Sequence, residues 1–448
     1  MADTFASIAA FIHGLRYRDL PPDATHMGRR CLVDLLAIWA SGIETKPSRV
    51  ARDHAFRRHS GGQDAVPMPF DGRAVNPVGY AFAGAATIDA VDGHDGHEQC
   101  KGHAGAAILP ALMAELGAAP TCSLNELLTH LILGYEIAIR AGLSLHASAP
   151  DYHSSGAWNA LGCAAVTARV RRLSHQQTRH ALGIAEYFGP RAQMMRCIDH
   201  PSMVKDSTSW GAMTGVSATD LAESSFTGAP AIICEGADVA SFWEDLGERW
   251  RILETNFKAY PVCRWSHPPI EAVLALMREQ AIQPEHIEEI IVSTFHEATR
   301  LANPRPTDGD QAQYSLPLAV TLALVYGTIT PQHVLPESYD RPEIWRLVDR
   351  VRLVENSAYS EAFPEERYAD VTIVLPDDQR LSSICMAARG TGDAPLKDAE
   401  ILAKFDRYAT RALSQTKRDA IAGILASPER APSPAELVRF LAPEPRNN

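Results

Sequence analysis

The chain has 448 residues, of which 46% are hydrophobic and 21% are charged, and its formal net charge at pH 7 is −12. This length and composition predict a globular protein with two domains. The acidic balance and the absence of any basic tract exclude nucleic acid as an expected partner, because nucleic acid is held by clustered positive charge.

Two further features bear on the cellular location. The N-terminal residues lack a basic segment followed by a cleavable apolar run, and no apolar stretch has the length of a membrane span. These features predict a soluble, cytoplasmic protein without a membrane partner. The eight cysteines are scattered and form no CxxC pair, which predicts reduced and mostly buried thiols.

Helical patterns dominate the chain up to about residue 249. Asn76 and Pro77 are a typical N-cap and first-turn pair, and Ser123 and Ser174 each open a capping box. The segment 44–75 is predicted to be loop with one short helix near 48–58. Apolar periodicity predicts the other helices at 4–15, up to about 41, 76–91, 105–116, 124–142, 155–172, 174–187 and 207–224.

Strand patterns enter after residue 249. Strands are predicted at 250–257, 287–295, 351–355, 369–375 and 380–387, the last two as a hairpin, with helices at 268–279 and 311–326. From residue 396 the pattern is helical again. The predicted fold is therefore mainly α, with a large all-α helical domain formed by both chain ends (1–265 and 395–448) and a smaller inserted α+β domain (266–394).

The stretch 89–105 holds the densest group of ionisable side chains. The predicted buried helix before it carries Asp89 and Asp92 at its C-terminal end, where the helix dipole disfavours negative charge. We expect the dipole to keep these carboxyl groups neutral and to favour charge on His94 and His97. Acid–base catalysis needs opposed environments of this kind.

Several segments, taken in order, resemble the MmgE/PrpD family, which contains 2-methylcitrate dehydratase, cis-aconitate decarboxylase and iminodisuccinate epimerase. The resemblance covers the chain from about residue 5 to 440. The segments that carry it are YAFAGAATID (80–89), the acidic and histidine run that ends in GHAG (102–105), ILPALMA (108–114), LAESSFTGAP (221–230), KAYP (258–261) with His267, and QAQYSLP (311–317).

The resemblance implies an active site between a helical and an α+β domain, a homodimer, and no metal or organic cofactor. Asp92 matches the leading acidic position of the family and His103 its motif histidine. His153 matches a pocket histidine, and Lys205 and Lys258 match two pocket lysines.

The chain also departs from the family pattern. Cys263 stands where the decarboxylase branch has a histidine, and Leu318 stands where many members have a tyrosine. The residues after Lys205 are not the usual basic and histidine sequence, and the run 89–105 is about one residue longer than in the decarboxylase branch. These departures weigh most against cis-aconitate decarboxylase.

Site roles follow from the chemistry that the resemblance implies, which is proton transfer at carbon next to a carboxylate. His103 is the predicted acid–base group, with Asp92, His153, Lys205 and Lys258 as its catalytic partners. The predicted substrate-binding residues are Lys205, Lys258, Arg191, Arg196, His94, His97, Cys263 and His267.

The predicted function is a cofactor-independent lyase or isomerase for a small di- or tricarboxylate, nearest to 2-methylcitrate dehydratase. An epimerase of an iminodisuccinate-like acid and a cis-aconitate-type decarboxylase are the alternatives. A metal enzyme that uses His94, Asp95, His97 and His103 is a weaker alternative. The last alternative is a family relative that binds or scaffolds without catalysis. Four retained residues argue against it, namely Asp92, His103, Lys205 and Lys258.

Overall fold

The computed structural model describes residues 4–62, 64–392 and 394–443. Of the described residues, 57% are helical and 8% lie in strands, so the predicted mainly α class is confirmed. No helix in the described ranges is both long enough and apolar enough to cross a membrane.

Eleven helices and four short strands precede residue 260 in the described part of the chain. The helices are α1 (Thr4–Gly14), α2 (Pro22–Gly42), α3 (Lys46–Arg58), α4 (Pro77–Asp89), α5 (Gly105–Leu116), α6 (Leu124–Ser148), α7 (Gly156–Val170), α8 (His175–Phe188), α9 (Met195–Asp199), α10 (Thr208–Glu223) and α11 (Ile232–Glu235). The strands are β1 (Val66–Pro67), β2 (Ala74–Val75), β3 (Gly96–His97) and β4 (Thr255–Asn256).

The remaining elements mix helices and strands. They are α12 (His267–Glu279), β5 (Glu289–Thr294), α13 (His296–Thr299), α14 (Gly309–Ala312), α15 (Leu316–Tyr326), α16 (Pro336–Tyr339), α17 (Pro342–Val348), β6 (Val351–Glu355), α18 (Ser357–Ala362), β7 (Tyr368–Val374), β8 (Arg380–Ser382) and β9 (Met386–Ala387). Three helices close the chain, namely α19 (Asp398–Ala409), α20 (Gln415–Ala426) and α21 (Pro434–Phe440).

Local capping fixes several helix starts where the sequence predicts them. The Asn76 side chain accepts a hydrogen bond from the Gly79 amide at 2.9 Å, and Pro77 occupies the first turn, where its missing N–H costs nothing. Ser123 and Ser174 form full capping boxes at the starts of α6 and α8. These short-range bonds satisfy amides that the helix itself leaves without partners.

The structure corrects two predicted elements. The segment 250–257 is not a strand, because Arg251–Glu254 forms a 3₁₀ turn and only Thr255–Asn256 pairs, with β3. The predicted helix 311–326 is two helices, since Ser315 caps α15 and Pro317 lies in its first turn.

Buried apolar side chains form two cores. The first contains residues from α1 to α11 and from the C-terminal helices, where α19 and α20 pack on α2. The second is built by residues 260–386, with three residues from 194–198. Its sheet has the order β6-β5-β7-β8, with β5 and β6 parallel, β7 antiparallel to both β5 and β8, and β9 paired with β7; α12 packs on β7. The domain limits themselves stay a prediction.

Candidate active site

The loop between α4 and α5 is the centre of the candidate site. Its middle is held in place because Gly96 and His97 pair with Asn256 and Thr255 as strands β3 and β4. This pairing brings the loop beside the segment that follows β4 and carries Lys258. The predicted run of ionisable residues therefore meets a distant part of the chain through backbone hydrogen bonds.

A cavity of about 60 Å³ lies against this loop and is lined by residues of the loop and of the second core. Its lining is rich in ionisable and aromatic groups. The lining residues are Asp92, Gly96, His97, Glu98, Lys101, Gly102, His103, Tyr152, Met194, Ile198, Asp206, Asn256, Lys258, Cys263, Arg264, Trp265, Tyr314, Phe363 and Arg367.

Asp92 and Lys258 form a buried ion pair at the cavity wall. The side chains are 5% and 2% exposed, so water screens their attraction little. Burial by itself would raise the pKa of Asp92, but the surrounding basic groups, the Lys258 ammonium foremost, together outweigh burial and hold that pKa well below its usual range. The prediction that the helix dipole keeps this carboxyl neutral is therefore wrong for Asp92.

Lys205 lies beside the cavity but is not among its lining residues. Its Nζ atom lies 3.2 Å from Asp310 Oδ1 and donates to Gln313 Oε1 at 3.1 Å. The same Gln313 oxygen accepts the Asp92 amide at 2.7 Å. Burial lowers the pKa of Lys205, yet the surrounding acidic groups, Asp310 foremost and then Asp92, together outweigh burial and raise it. Lys205 thus supports the backbone of Asp92, and the Tyr314 ring lies close to it, 5.2 Å from its Nζ atom.

His103 is held by two contacts, and the one at its ring decides which nitrogen carries the proton. Its Nδ1 atom lies 2.6 Å from the Asp95 carbonyl oxygen, and its amide donates to Ser155 Oγ at 3.0 Å. A carbonyl oxygen only accepts, so Nδ1 carries the proton and Nε2 is left as a free acceptor. Burial, and then the charges of His94 and Lys258, lower the pKa of His103 to about 4. The ring is therefore neutral near pH 7.

Asp206 faces the free nitrogen of His103, with Oδ2 3.8 Å from Nε2. Ser155 Oγ donates to the other Asp206 oxygen at 3.2 Å. Burial raises the pKa of Asp206 to about 6, with the Asp89 and Asp92 charges acting in the same direction. A neutral base and a carboxyl group that holds its proton unusually well thus stand side by side.

Two arginines of the second core reach the cavity. Arg264 and Arg367 are 8% and 6% exposed, and both line the wall together with Glu98. The sequence reasoning missed both arginines and Asp206. Arg264 lies between KAYP and His267 in a segment that carries the resemblance, and Asp206 directly follows Lys205, so position next to a matched residue was the available signal. No motif in the sequence marks Arg367.

Besides Lys205, five predicted site residues do not line the cavity. His153 bonds through Nδ1 to the Asp151 carbonyl oxygen at 2.6 Å, and His267 is buried with Nε2 3.3 Å from the Val262 carbonyl oxygen. The other three are His94, Arg191 and Arg196, of which both arginines are exposed on the surface. Arg191 pairs there with Glu186.

His94 carries less charge than the helix dipole predicts. Burial, followed by the Lys258 charge, lowers the pKa of His94 to about 3. The expected charge on His94 is therefore wrong, because desolvation outweighs the helix dipole. For Asp89 the direction is as predicted, since burial raises its pKa. His97 lines the cavity, but its Nε2 atom is tied to Glu254 at 3.0 Å.

The two residues that depart from the family pattern, Cys263 and Leu318, lie in different places. Cys263 lines the cavity, and burial raises the pKa of its thiol to about 12, which keeps it protonated. Leu318 is buried in the second core. Tyr314, four residues earlier, lines the cavity, so the site does not lack a tyrosine.

Three side chains of the loop meet closely enough to be considered as metal ligands. The donor atoms of Asp92, His94 and His103 lie within 4.8 Å of one another. The cluster predicted from sequence also includes Asp95 and His97. In the structure, Asp95 accepts a hydrogen bond from the Tyr135 hydroxyl group, and His97 pairs with Glu254. A cation bound by Asp92 would have to displace the Lys258 ammonium, so this donor set fits a metal poorly.

Comparison with known proteins gives a consistent match along the chain. The N-terminal domain of the MmgE/PrpD family matches residues 6–242, and the C-terminal domain matches residues 260–427. Cis-aconitate decarboxylase of Mus musculus is 24% identical over 460 residues, which cover 97% of this chain and 92% of that protein. The cis-aconitate decarboxylase-like protein oryM of Aspergillus oryzae is 22% identical, and the match covers 98% of this chain and 97% of that protein. A cis-aconitate decarboxylase of Aspergillus terreus is 22% identical, and the match covers 83% of this chain and 82% of that protein.

Proposed function

The chain belongs to the MmgE/PrpD family, and from this premise we propose that it is a cofactor-independent lyase for a small di- or tricarboxylate. The reaction moves a proton at a carbon next to a carboxylate. The observation that carries the proposal is the neutral His103 ring, whose free Nε2 atom faces the Asp206 carboxyl group inside a cavity lined by cations.

Binding of the substrate rests on the buried positive charges of the cavity. The protein as a whole is acidic, so its overall field repels a polycarboxylate and a local positive site is required. Lys258 and the two arginines supply such a site. In a cavity shielded from water, these cations also stabilise the enediolate-like charge that forms when the proton leaves.

For the dehydration reaction, the two groups take complementary roles. His103 Nε2 removes the proton from the carbon next to the carboxylate, and the electron pair forms the carbon–carbon double bond. Asp206 donates its proton to the departing hydroxyl group, which leaves as water. The raised pKa of Asp206 supports this role, because a carboxyl group that keeps its proton longer is a better acid near neutral pH.

Decarboxylation is the second candidate, because the curated relatives are named for it. One carboxylate leaves as CO₂, and its electron pair passes to the neighbouring carbon framework. A proton from Asp206 then quenches the resulting carbanion. The same cavity serves both reactions, so their difference lies in which carboxylate or hydroxyl group of the substrate faces the pair.

A substrate panel followed by NMR in D₂O tests the proposal. The panel contains 2-methylcitrate, citrate, cis-aconitate, iminodisuccinate and tartrate-like acids. Formation of an alkene with loss of the hydroxyl group supports dehydration, and release of CO₂ supports decarboxylation. Deuterium uptake at the carbon next to the carboxylate, without loss of any group, supports an epimerase and contradicts the lyase. Inertness toward the whole panel contradicts the proposed substrate class.

A further inference from the structure

The guanidinium groups of Arg264 and Arg367 have hydrogen-bonding capacity that the described residues do not use. Both side chains are more than nine-tenths buried. The Nε and Nη2 atoms of Arg264 and the Nε and Nη1 atoms of Arg367 are buried without a hydrogen-bond partner in the described part of the chain. Buried donors of this kind are costly, and a native structure normally satisfies them. Their position on the cavity wall indicates that a ligand supplies the missing acceptors.

Contacts with neighbouring residues hold both arginines in position. Arg264 Nη1 donates to the Arg389 carbonyl oxygen at 2.5 Å. The Arg367 guanidinium lies over the Phe363 ring, with 5.6 Å between its central carbon and the ring centroid. A guanidinium that is fixed by such contacts presents its remaining N–H groups in a set direction. That arrangement suits the two oxygens of a carboxylate.

Glu98 is the one carboxylate within salt-bridge distance of both groups among the described residues. Its Oε1 atom lies 3.4 Å from Arg367 Nη1 and 3.8 Å from Arg264 Nη2. Both distances allow ionic attraction, but neither atom pair forms a hydrogen bond. The Glu98 side chain is 28% exposed and so keeps a route toward solvent. Glu98 is therefore held loosely, and it leaves arginine N–H groups unpaired that a closer carboxylate would bond.

The small size of the cavity also indicates that a lining side chain moves when the substrate binds. Its volume of about 60 Å³ is far below the roughly 300–1,000 Å³ of a typical small-molecule site. A polycarboxylate therefore enters only if a lining side chain moves out. Glu98 is a suitable side chain to move, because it is partly exposed and its exchange for a substrate carboxylate leaves the charge around the arginines unchanged.

We propose that Arg264 and Arg367 form a subsite for a substrate carboxylate remote from the reacting carbon, and that Glu98 occupies this subsite until the substrate displaces it. The proposal rests on the proposed function for the substrate class and deepens it. The substrate then carries at least two carboxylates, one near Lys258 and His103 and one on the arginine pair. Glu98 acts as a competitor that excludes anions too weak to displace it.

Equilibrium binding of tricarballylate (propane-1,2,3-tricarboxylate) tests the subsite separately from catalysis. This probe has three carboxylates but no hydroxyl group or double bond, so it can be neither dehydrated nor decarboxylated by the proposed route. Isothermal titration calorimetry gives its Kd. We expect Arg367→Gln to weaken binding roughly 10- to 100-fold, because charge-assisted hydrogen bonds are lost. We expect Glu98→Gln to tighten binding up to about 10-fold, because the internal competitor loses its charge.

A double variant and a matched pair of controls isolate the mechanism. If Glu98 acts by occupying the arginines, Glu98→Gln no longer tightens binding in the Arg367→Gln background. The controls are Glu289→Gln and Arg352→Gln, which break an exposed ion pair of the same residue types on the sheet, and both should leave the Kd unchanged. If Arg367→Gln does not fold, Arg367→Lys keeps the charge but loses the planar fork, and it should still weaken binding.

The outcomes separate this inference from the proposed function. An unchanged Kd in folded Arg367 variants, a weaker Kd in Glu98→Gln, or no binding of tricarballylate to the wild-type protein overturns the subsite. If the substrate panel reacts but these variants change neither Kd nor KM, the lyase stands and the subsite fails. If tricarballylate binding depends on the arginines as expected but nothing in the panel reacts, the subsite stands and the proposed reaction fails.

Discussion

The Nζ atom of Lys404 lies 2.6 Å from the carbonyl oxygen of Gly93, so a helix near the C-terminus holds the loop that carries the candidate site. The same ammonium group pairs with Asp34 Oδ1 at 2.6 Å, and both side chains are buried. Burial lowers the pKa of Lys404 and raises that of Asp34. Helices α2 and α19, which are distant in the sequence, thus form a buried ion pair that also contacts the loop.

Removing the charge of Lys404 should destabilise the protein strongly. In Lys404→Met, Asp34 keeps a buried charge without its partner, and the free energy of unfolding should fall by about 3–5 kcal/mol. Urea unfolding followed by circular dichroism measures the change. Lys46→Met, at an exposed lysine, is the control and should stay within about 0.5 kcal/mol of wild type. A Lys404 variant as stable as this control would show that the buried pair contributes nothing.

His103→Asn should lower turnover by roughly 10²- to 10⁴-fold if His103 is the general base. The pH profile checks the assignment further. Activity needs His103 without its added proton and Asp206 with its proton, and the pKa values are about 4 and about 6. Turnover should therefore rise as the pH passes 4 and fall as it passes 6. His103→Asn should remove the rise in turnover at low pH. Asp206→Asn should remove the fall in turnover at higher pH.

His153→Asn is the matched control for the histidine assignment. His153 lies outside the cavity, so this variant should keep turnover within a few-fold of wild type and leave both limbs of the profile in place. If His153→Asn loses activity while His103→Asn retains it, the base is misassigned. Asp92 would then be the next residue to test.

The Asp92–Lys258 pair should make stability fall in acid. The folded pKa of Asp92 is depressed, so its contribution to stability is complete above the unfolded value of about 3.9 and is lost as the pH falls toward the folded value. The free energy of unfolding of wild type should therefore drop below about pH 4. Asp92→Asn should flatten this part of the curve, whereas an equally steep drop would place the acid sensitivity elsewhere.

Lys258 variants should affect both binding and folding. Lys258→Ala leaves Asp92 as a buried carboxylate without its ammonium partner, which should cost about 3–5 kcal/mol of stability in addition to any loss of substrate affinity. For this reason the pH dependence of Asp92→Asn is the cleaner measurement of the pair, and thermal unfolding should accompany every kinetic value for Lys258→Ala.

Removing divalent metal should leave turnover unchanged. The resemblance implies a metal-free reaction, and the Lys258 ammonium already sits against Asp92, the carboxylate of the Asp92, His94 and His103 cluster. Activity after prolonged dialysis against EDTA, followed by dialysis into buffer free of chelator, measures this. Loss of activity that a single added divalent ion restores would favour the metal alternative. Addition of Mg²⁺ and Zn²⁺ to the untreated protein serves as the control.

We propose that the protein is a homodimer, as the family resemblance implies. Tyr187, Phe188 and Phe226 are 76%, 59% and 49% exposed and line one surface recess, where a second copy would bury them. Light scattering should give the mass of two chains, and Phe226→Asp should shift the protein toward monomer. Ile384→Asp, at an exposed apolar residue of the α+β part, should not. A monomeric wild-type protein would remove the proposal.

The sequence determined the local features of this protein, and the tertiary structure decided which of its residues act together. Asn76, Ser123 and Ser174 fix helix starts through bonds to amides three residues on, so neighbouring residues alone predict them. The run 89–105 could likewise be recognised, because its composition and the family pattern are both local.

The site itself depends on contacts between distant segments. Asp206, Arg264 and Arg367 are far apart in the chain, yet all three line the cavity, whereas His153, whose backbone bridges to Gln193, does not. The charge states were decided in the same way. The helix dipole acts over one turn and favoured a charged His94, but burial, which only the packed structure creates, costs more and keeps that ring neutral.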